Sequence, residues 1–404
     1  QFHDTLPGSA IAGVYEDARV QYEEVATIVR SLLDKAARVW KPFFDASEDE
    51  EPVLVFNATG FEQSAVLTLA GGSGADRLLT TPGPGVVRRQ TGEPEPVRKF
   101  VKAVPALGAR VRDMVTSSEC VPVTVEAAGE DVVFDNGIVE AVIDRTGRLT
   151  SLRRSGCSRQ AACEHEPMGG LALYHDLPHM WDAWEIDPGY EQSERVLDDA
   201  CEAFEGVEAG PLRAAVVCER PIGTEKAGER STARSTLALE AGRPRVDITY
   251  EFDWREEHTL VRALFPTSVR SRTATFETQA GHIERPTHRS GPIEAARFEV
   301  PMQRWMDLSE PGLGVAVLND CKFGGSAHDH TLGVSLLRSP THPDPTADRG
   351  SHTCTLSVMV HEGDWRSAGV IAEAALRNQP LTAVAIEPGQ AGEVDPDGEP
   401  MTAW

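Results

Sequence analysis

Apolar positions along the chain change period twice. From Ser9, read as an N-cap, Val14, Ala18, Val25, Ile28, Val29, Leu32, Ala36 and Val39 recur at spacings that share one helical face. Acidic residues (Glu16, Asp17) come early and basic ones (Lys35, Arg38, Lys41) late, as the helix dipole favours, and Pro42 closes the run. So long a helix predicts a bundle whose other helices lie outside this chain. After the acidic spacer Glu48 to Glu51, short strand-like runs appear at Val53 to Phe56, Ser64 to Leu69 and Arg98 to Pro105. They are separated by the turn formers Asn57 to Gly60 and the Gly/Pro-rich stretch Gly71 to Pro96. A small β-sandwich over about residues 50–120 is the expectation.

From Val132 the pattern is all β. Runs at Val132 to Phe134, Ile138 to Ile143 and Leu149 to Leu152 are joined at Asp135-Asn136-Gly137 and Asp144-Arg145-Thr146-Gly147, residue types that tolerate positive φ. More strands are expected at Ala214 to Cys218, Ser235 to Leu239, Val246 to Phe252, Leu260 to Phe265, Gly314 to Leu318, Leu332 to Leu337 and Thr353 to Val360. Helical periodicity returns only at Arg366 to Arg377. This predicts a mainly β chain, with a large antiparallel β-sandwich over 121–380 following a helical segment over 1–48 and the small sandwich. The Gly/Pro/acid-rich stretch 381–404 reads as a linker.

Composition narrows the partners. The 404 residues carry 39 basic and 63 acidic side chains, a net charge of −24, which argues against nucleic acid or an anionic membrane as a partner. Solubility accounts for the acidity, and a neutral sugar is compatible with it. No stretch is apolar enough to cross a bilayer as a helix, and no leader is visible after Gln1. Seven cysteines in no CxxC spacing (Cys120, Cys157, Cys163, Cys201, Cys218, Cys321, Cys354) read as thiols of a reducing compartment, so a cytoplasmic location is expected.

His3 and Asp4 stand side by side ahead of the helix, an imidazole for a metal and a carboxylate for metal or hydroxyls. Their segment, QFHDTLPGSAIAGVYEDAR, resembles the zinc-ligand motif of the glycoside hydrolase family 38 α-mannosidases, cytosolic or vacuolar branch. The likeness continues in order through VFDNGIVEAVIDRTGRLTSL, DLPHMWDAWEIDPGY, GHIERPTHRSGPIEAARFEV, RWMDLSEPGLGVAVLNDCKFG and LLRSPTHPDPTADRG. It implies a supersandwich of the galactose-mutarotase-like kind, a Zn2+ ligand at His3 (Co2+ being the alternative metal), and a mannose hydroxyl held by Asp4. It also implies a retaining reaction on terminal α-linked mannose of oligosaccharides. The nucleophile, the acid/base and the other zinc ligands of that family come from an N-terminal barrel. This chain is therefore expected to be a fragment lacking that barrel and the last β domain, and inactive alone.

Other candidates have two readings each. Trp181-Asp182-Ala183-Trp184-Glu185 could offer indole faces and carboxylates to a sugar, with Asp182 and Trp184 as substrate-binding residues; alternatively the tryptophans anchor the core and Asp182 caps a turn. Arg285-Pro286-Thr287-His288 and Asn319-Asp320-Cys321-Lys322 could line a site or satisfy backbone groups, and no chemical role follows for Arg285, His288, Asn319, Asp320 or Lys322. His328-Asp329-His330 has chelating spacing among glycines and reads as a solvated turn, as does His342-Pro343-Asp344. Cys321 has no His partner in sequence that would make it a nucleophile. Two rivals to the enzyme reading are a non-catalytic carbohydrate-binding or scaffold module and another sandwich-bearing glycosidase; the QFHD segment argues against the latter.

Overall fold

The computed structural model describes residues 8–40, 53–69, 78–80, 97–112, 120–226 and 229–385. The helix runs Ala12–Trp40. At its entry the Tyr15 hydroxyl accepts the Ala10 N–H at 2.6 Å. Its apolar positions are open to solvent: Val25, Ile28 and Leu32 are 54%, 51% and 58% exposed. The helix therefore presents a face that nothing in the described residues covers.

Among the described residues the large sandwich contains three antiparallel sheets. A nine-stranded sheet runs in the order Ala203–Ala209, Arg213–Lys226, Glu229–Glu240, Arg245–Trp254, Gly350–His361, Leu313–Asn319, Trp305–Glu310, Thr273–Thr278, Gly281–Pro286. A six-stranded sheet runs Arg195–Val196, Gly170–His175, Thr259–Pro266, Thr331–Leu337, Gly324–His328, Val300–Pro301. The third is the meander Thr124–Ala128, Asp131–Asp135, Val139–Ile143, Leu149–Arg154. Alternation sets the inward faces: Val139, Ala141 and Ile143 are buried while Glu140 and Val142 are half-buried. Phe134, Leu173, Ile248, Phe265 and Val317 meet in one core.

The turns follow their chemistry. Asn136 Oδ1 accepts the N–H groups of Ile138 and Val139 at 3.0 and 2.9 Å, and its Nδ2 donates to the carbonyls of Glu240 and Arg243 at 2.7 and 2.8 Å. At the next turn Gly147 has φ 69°, and a Cβ there would meet the Cys218 sulfur at 2.6 Å. Two constraints thus require glycine.

Leu313–Asn319 is buried throughout, because the helix Val370–Asn378 covers its outer side with Val370 and Ala374 against Trp305, Leu318 and Trp365. Below that helix lies an ionic cluster. Arg245 bonds Asp247 at 3.0 Å and also pairs with Glu373 of the helix, while Arg377 lies 3.8 Å from Asp320.

Two expectations need correction. Thr382–Ala385 lies within the segment read as a linker, yet it is a strand pairing antiparallel with Val53–Asn57, Leu54 opposite Val384. It completes the small sandwich, whose core joins Val55, Leu67, Val101, Val104, Leu381 and Ala383. Apolar Leu381 and Ala383 sit where the composition otherwise turns to linker, and the partner strand is remote in sequence. Second, Cys201 and Cys218 are joined as a disulfide with Cα atoms 5.7 Å apart. The adjacent antiparallel strands bring them together, with Phe204 opposite Cys218. The other five cysteines form no disulfide. No helix among the described residues is long and apolar enough to cross a membrane.

Candidate functional site

Three neighbouring strands of the six-stranded sheet end together. Gly170–His175 leaves at Asp176, Thr259–Pro266 begins after His258, and Thr331–Leu337 leaves at Arg338. The Asp176 N–H donates to the His258 carbonyl at 2.9 Å and the His258 N–H to the Ser339 carbonyl at 2.7 Å. Over this end folds the loop 177–189, which carries the paired tryptophans.

Arg338 holds that loop. Its Nε donates to Asp176 Oδ2 at 2.7 Å, and its terminal nitrogens reach the carbonyls of Ala183 (3.2 Å), Asp182 (3.3 Å) and Glu185. Asp176 is buried, and burial, outweighing the pull of Arg338, raises its carboxyl above the ordinary Asp range, with Asp182 and Glu299 adding to the rise. Asp182 Oδ2 accepts the Thr341 N–H at 2.8 Å and its hydroxyl at 3.3 Å, and Oδ1 lies 3.4 Å from His258 Nδ1. Asp182 thus caps and anchors the loop. The indoles do the opposite: Trp181 and Trp184 are 62% and 60% exposed, 6.4 Å apart and tilted 33°, so neither anchors the core. Leu177 and Met180 are exposed beside them in the chain.

Backbone strain gathers here. Trp181, His258, Ser339 and Asp348 have φ of 58°, 49°, 57° and 59°, a region side chains other than glycine rarely adopt. Such residues persist only where surrounding bonds over-determine them, and they concentrate at functional sites. The bonds are present: Asp348 Oδ2 accepts from both Arg338 N and Ser339 N at 3.0 Å, and the Ser339 hydroxyl takes the Trp254 indole N–H. Tyr15, at the start of the long helix, has its phenol raised by burial and by the charges of Asp344 and Asp348, which places the helix entry at this same end.

On the outer face of the same sheet, buried Arg262 donates to Ser326 Oγ at 2.6 Å and to the Tyr190 hydroxyl. Burial pushes the Tyr190 phenol up to about 12, with Arg262 pulling it the other way. Glu191 and Arg289 form a two-pronged pair at 2.5 and 2.8 Å. Gly333 leaves room for this arrangement, since a Cβ there would lie 2.8 Å from the Arg262 guanidinium.

The remaining candidates fall as follows. His3 and Asp4 lie outside the described residues. Arg285 stacks over Phe276 at 5.7 Å, Thr287 closes onto Ser271 and Arg272, and His288 is exposed. Asn319 Oδ1 accepts the Lys322 N–H at 2.8 Å, and Asp320 accepts the Thr355 N–H at 3.0 Å, so both hold backbone. Desolvation, then the bond to Asp320, raises the Cys321 thiol far above its usual range, unsuited to nucleophilic work. Asp176 and Arg338 lie in two of the segments that carry the family likeness, but with 162 positions between them nothing in the sequence pairs them with each other or with His258.

The family description "Glycosyl hydrolases family 38 C-terminal domain" matches residues 134–346, which include the loop 177–189, His258 and Arg338. The chain belongs to glycosyl hydrolase family 38. It is 34% identical to alpha-mannosidase 2C1 of Homo sapiens over 100% of this chain and 36% of that protein. It is 31% identical to alpha-mannosidase G of Dictyostelium discoideum over 92% of this chain and 36% of that protein. The chain therefore spans just over a third of the length of these relatives. The crystal structure of an alpha-mannosidase from Enterococcus faecalis V583 superposes with a TM-score of 0.73 at 12% identity, over 96% of this chain and 52% of that one. That likeness concerns the fold alone.

Proposed function

We propose that the polypeptide containing this chain is a retaining α-mannosidase that releases terminal α-linked mannose from oligosaccharides. The observation that carries the reading is family 38 membership together with 34% identity, along the whole chain, to a relative named an alpha-mannosidase. In this reading the loop with Trp181 and Trp184 forms one wall of the sugar site. Apolar indole faces suit the C–H faces of a pyranose, and Asp182 and Arg338 hold those indoles in place rather than touching sugar. Asp4 would take a mannose hydroxyl.

Retaining hydrolysis needs two carboxylates, a nucleophile and an acid/base. We assign both to other parts of the polypeptide, because the QFHD segment contributes only His3 and Asp4 and the chain spans 36% of its relatives' length. Zn2+, or Co2+, enters through His3 in this chain. When bound it would grip sugar hydroxyls and favour a distorted ring. Near the aromatic loop the described residues offer it nothing further, since His258 and Asp182 are engaged with each other and with Thr341. No catalytic step is therefore assigned to the metal. A cytoplasmic location belongs to the proposal as well, and the Cys201–Cys218 pair opposes it, because disulfides persist mainly in oxidising compartments.

The test compares the isolated chain with the whole polypeptide on a nitrophenyl α-mannoside. Turnover is expected from the whole protein, lost in His3→Ala, and absent from the isolated chain. Turnover by the isolated chain would overturn the division of labour, and none by the whole protein would overturn the activity. A second reading, a non-catalytic carbohydrate-binding module, is favoured by the two exposed indoles. It predicts mannoside binding by the isolated chain with no turnover in the whole protein.

A further inference from the structure

The His-x-His spacing at 328–330 does not act as a chelate. His328 is exposed beside Asp329, whereas His330 turns inward, with its Nε2 3.0 Å from Glu166 Oε2. Cys163 completes a group: its Sγ, a Glu166 oxygen and a His330 ring nitrogen all lie within 4.8 Å of one another. The group is at the opposite end of the six-stranded sheet from the aromatic loop, where Thr259–Pro266 ends and Thr331–Leu337 begins. We propose that Cys163, Glu166 and His330 bind a borderline-soft divalent cation of the zinc type, separate from any metal held through His3.

Four observations carry this. The donor set is a sulfur, an imidazole nitrogen and a carboxylate oxygen, the set that Zn2+ selects and that Mg2+ or Ca2+ does not. Thiolate and carboxylate together bring two negative charges, which balance the ion. The spacing is close to what a tetrahedral site needs: with Zn–S of about 2.3 Å and Zn–N of about 2.0 Å, ligand atoms stand roughly 3.2–3.8 Å apart. Side-chain rotation covers the remaining ångström. The backbones are already fixed as well. Cys163 and Glu166 face each other in a β-bridge, Ala162 bridges Thr267, and the His330 carbonyl accepts both the N–H and the hydroxyl of Thr267 at 2.9 and 3.0 Å.

A histidine–glutamate pair alone would give the thiol no part in the cluster. With a metal, the thiol becomes the strongest ligand, and the loop 161–166 is stapled to the hairpin 328–331. The Glu166 side chain is 54% exposed, so the fourth position opens to water. Three protein ligands and a water describe a complete coordination sphere.

The test uses the whole polypeptide, stripped with a chelator and then given Zn2+ or Co2+. Zn2+ should slow alkylation of Cys163 by roughly tenfold or more, read by peptide mass spectrometry, while Cys120 and Cys157 are unaffected, and chelator should restore the rate. Co2+ should produce a thiolate-to-metal charge-transfer absorption that persists in His3→Ala and disappears in Cys163→Ser. Bound zinc should fall by one equivalent in Cys163→Ser and in His330→Gln but not in Glu164→Gln, an exposed neighbour. Unprotected Cys163 in the unmodified protein overturns the proposal whether or not the variants fold. A charge-transfer band that survives Cys163→Ser overturns it too.

Discussion

Arg338 and Asp176 meet at 2.7 Å where three strands end, Asp176 nearly wholly buried and Arg338 about one-fifth exposed. Replacing Arg338 by Ala leaves a buried carboxylate without its counter-charge and frees three loop carbonyls. The expected loss is on the order of 3 kcal/mol at neutral pH. Asp176 is already raised by burial, and losing Arg338 raises it further. A carboxyl raised above its unfolded value favours the folded state only when protonated, so the deficit should shrink as pH falls. Urea denaturation of both proteins at neutral and mildly acidic pH checks this; a deficit that grows in acid refutes it.

Trp181 and Trp184 give a different signature. Both are about three-fifths exposed, so Trp181→Ala and Trp184→Ala should change stability by less than about 0.5 kcal/mol. In the whole polypeptide they should raise KM for a mannoside by roughly tenfold, about 1.4 kcal/mol of lost binding. An unchanged KM in both variants removes the loop from the sugar site.

Elements with one face buried were legible in the sequence. Val139–Ile143 alternates, and its flanking Asn-Gly and Asp-x-x-Gly turns bond as their chemistry requires. Gly170–His175 was not, because five of its six residues are buried and the run shows no period. Thr382–Ala385 was misread for a related reason: its partner Val53–Asn57 lies at the other end of the described chain, and strand pairing over that distance leaves no local trace. In the candidate site the aromatic pair was visible as a cluster in sequence. The residues that position it were not, since Arg338, Asp176 and His258 become neighbours only when the strands align.

The cysteines offer a direct count. Alkylation of the denatured, unreduced chain should label five thiols (Cys120, Cys157, Cys163, Cys321, Cys354), and reduction should expose Cys201 and Cys218, giving seven. The bridge closes a short loop, and its removal by Cys201→Ser with Cys218→Ser should cost about 3 kcal/mol. Seven labelled thiols before reduction, in protein prepared without reductant, would restore the reading from sequence and with it the argument for a reducing compartment.

Asp247 ties acid stability to the helix Val370–Asn378. Burial alone would raise its carboxyl, but the Arg245 and Arg377 guanidiniums, with the Ser357 hydroxyl, hold it down to about 2. A depressed carboxylate contributes stability that is present above its unfolded pKa and lost as pH falls through the folded one. The shift corresponds to about 2 kcal/mol, lost between roughly pH 5 and pH 2. Asp247→Asn should therefore be less stable than the unmodified chain at neutral pH, and the gap should close toward pH 2. A gap that stays constant over that range would assign the cost to packing alone.

The long helix supplies the last expectation. Val25, Ile28 and Leu32 are each more than half exposed on a face that the sandwich leaves bare, and its entry at Tyr15 lies at the aromatic-loop end. Exposed apolar area of this extent marks a surface that another body covers. Ile28→Glu with Leu32→Glu should leave the unfolding temperature of the isolated chain nearly unchanged, because neither side chain is buried there. The same pair should lower the folded yield of the whole polypeptide, where the face would be enclosed and two carboxylates would be desolvated without partners. Sedimentation of the isolated chain separates the occupants. Concentration-dependent dimers abolished by the two substitutions would point to a second copy, whereas a monomer at all concentrations, with the effect confined to the whole protein, would point to the remainder of the same polypeptide.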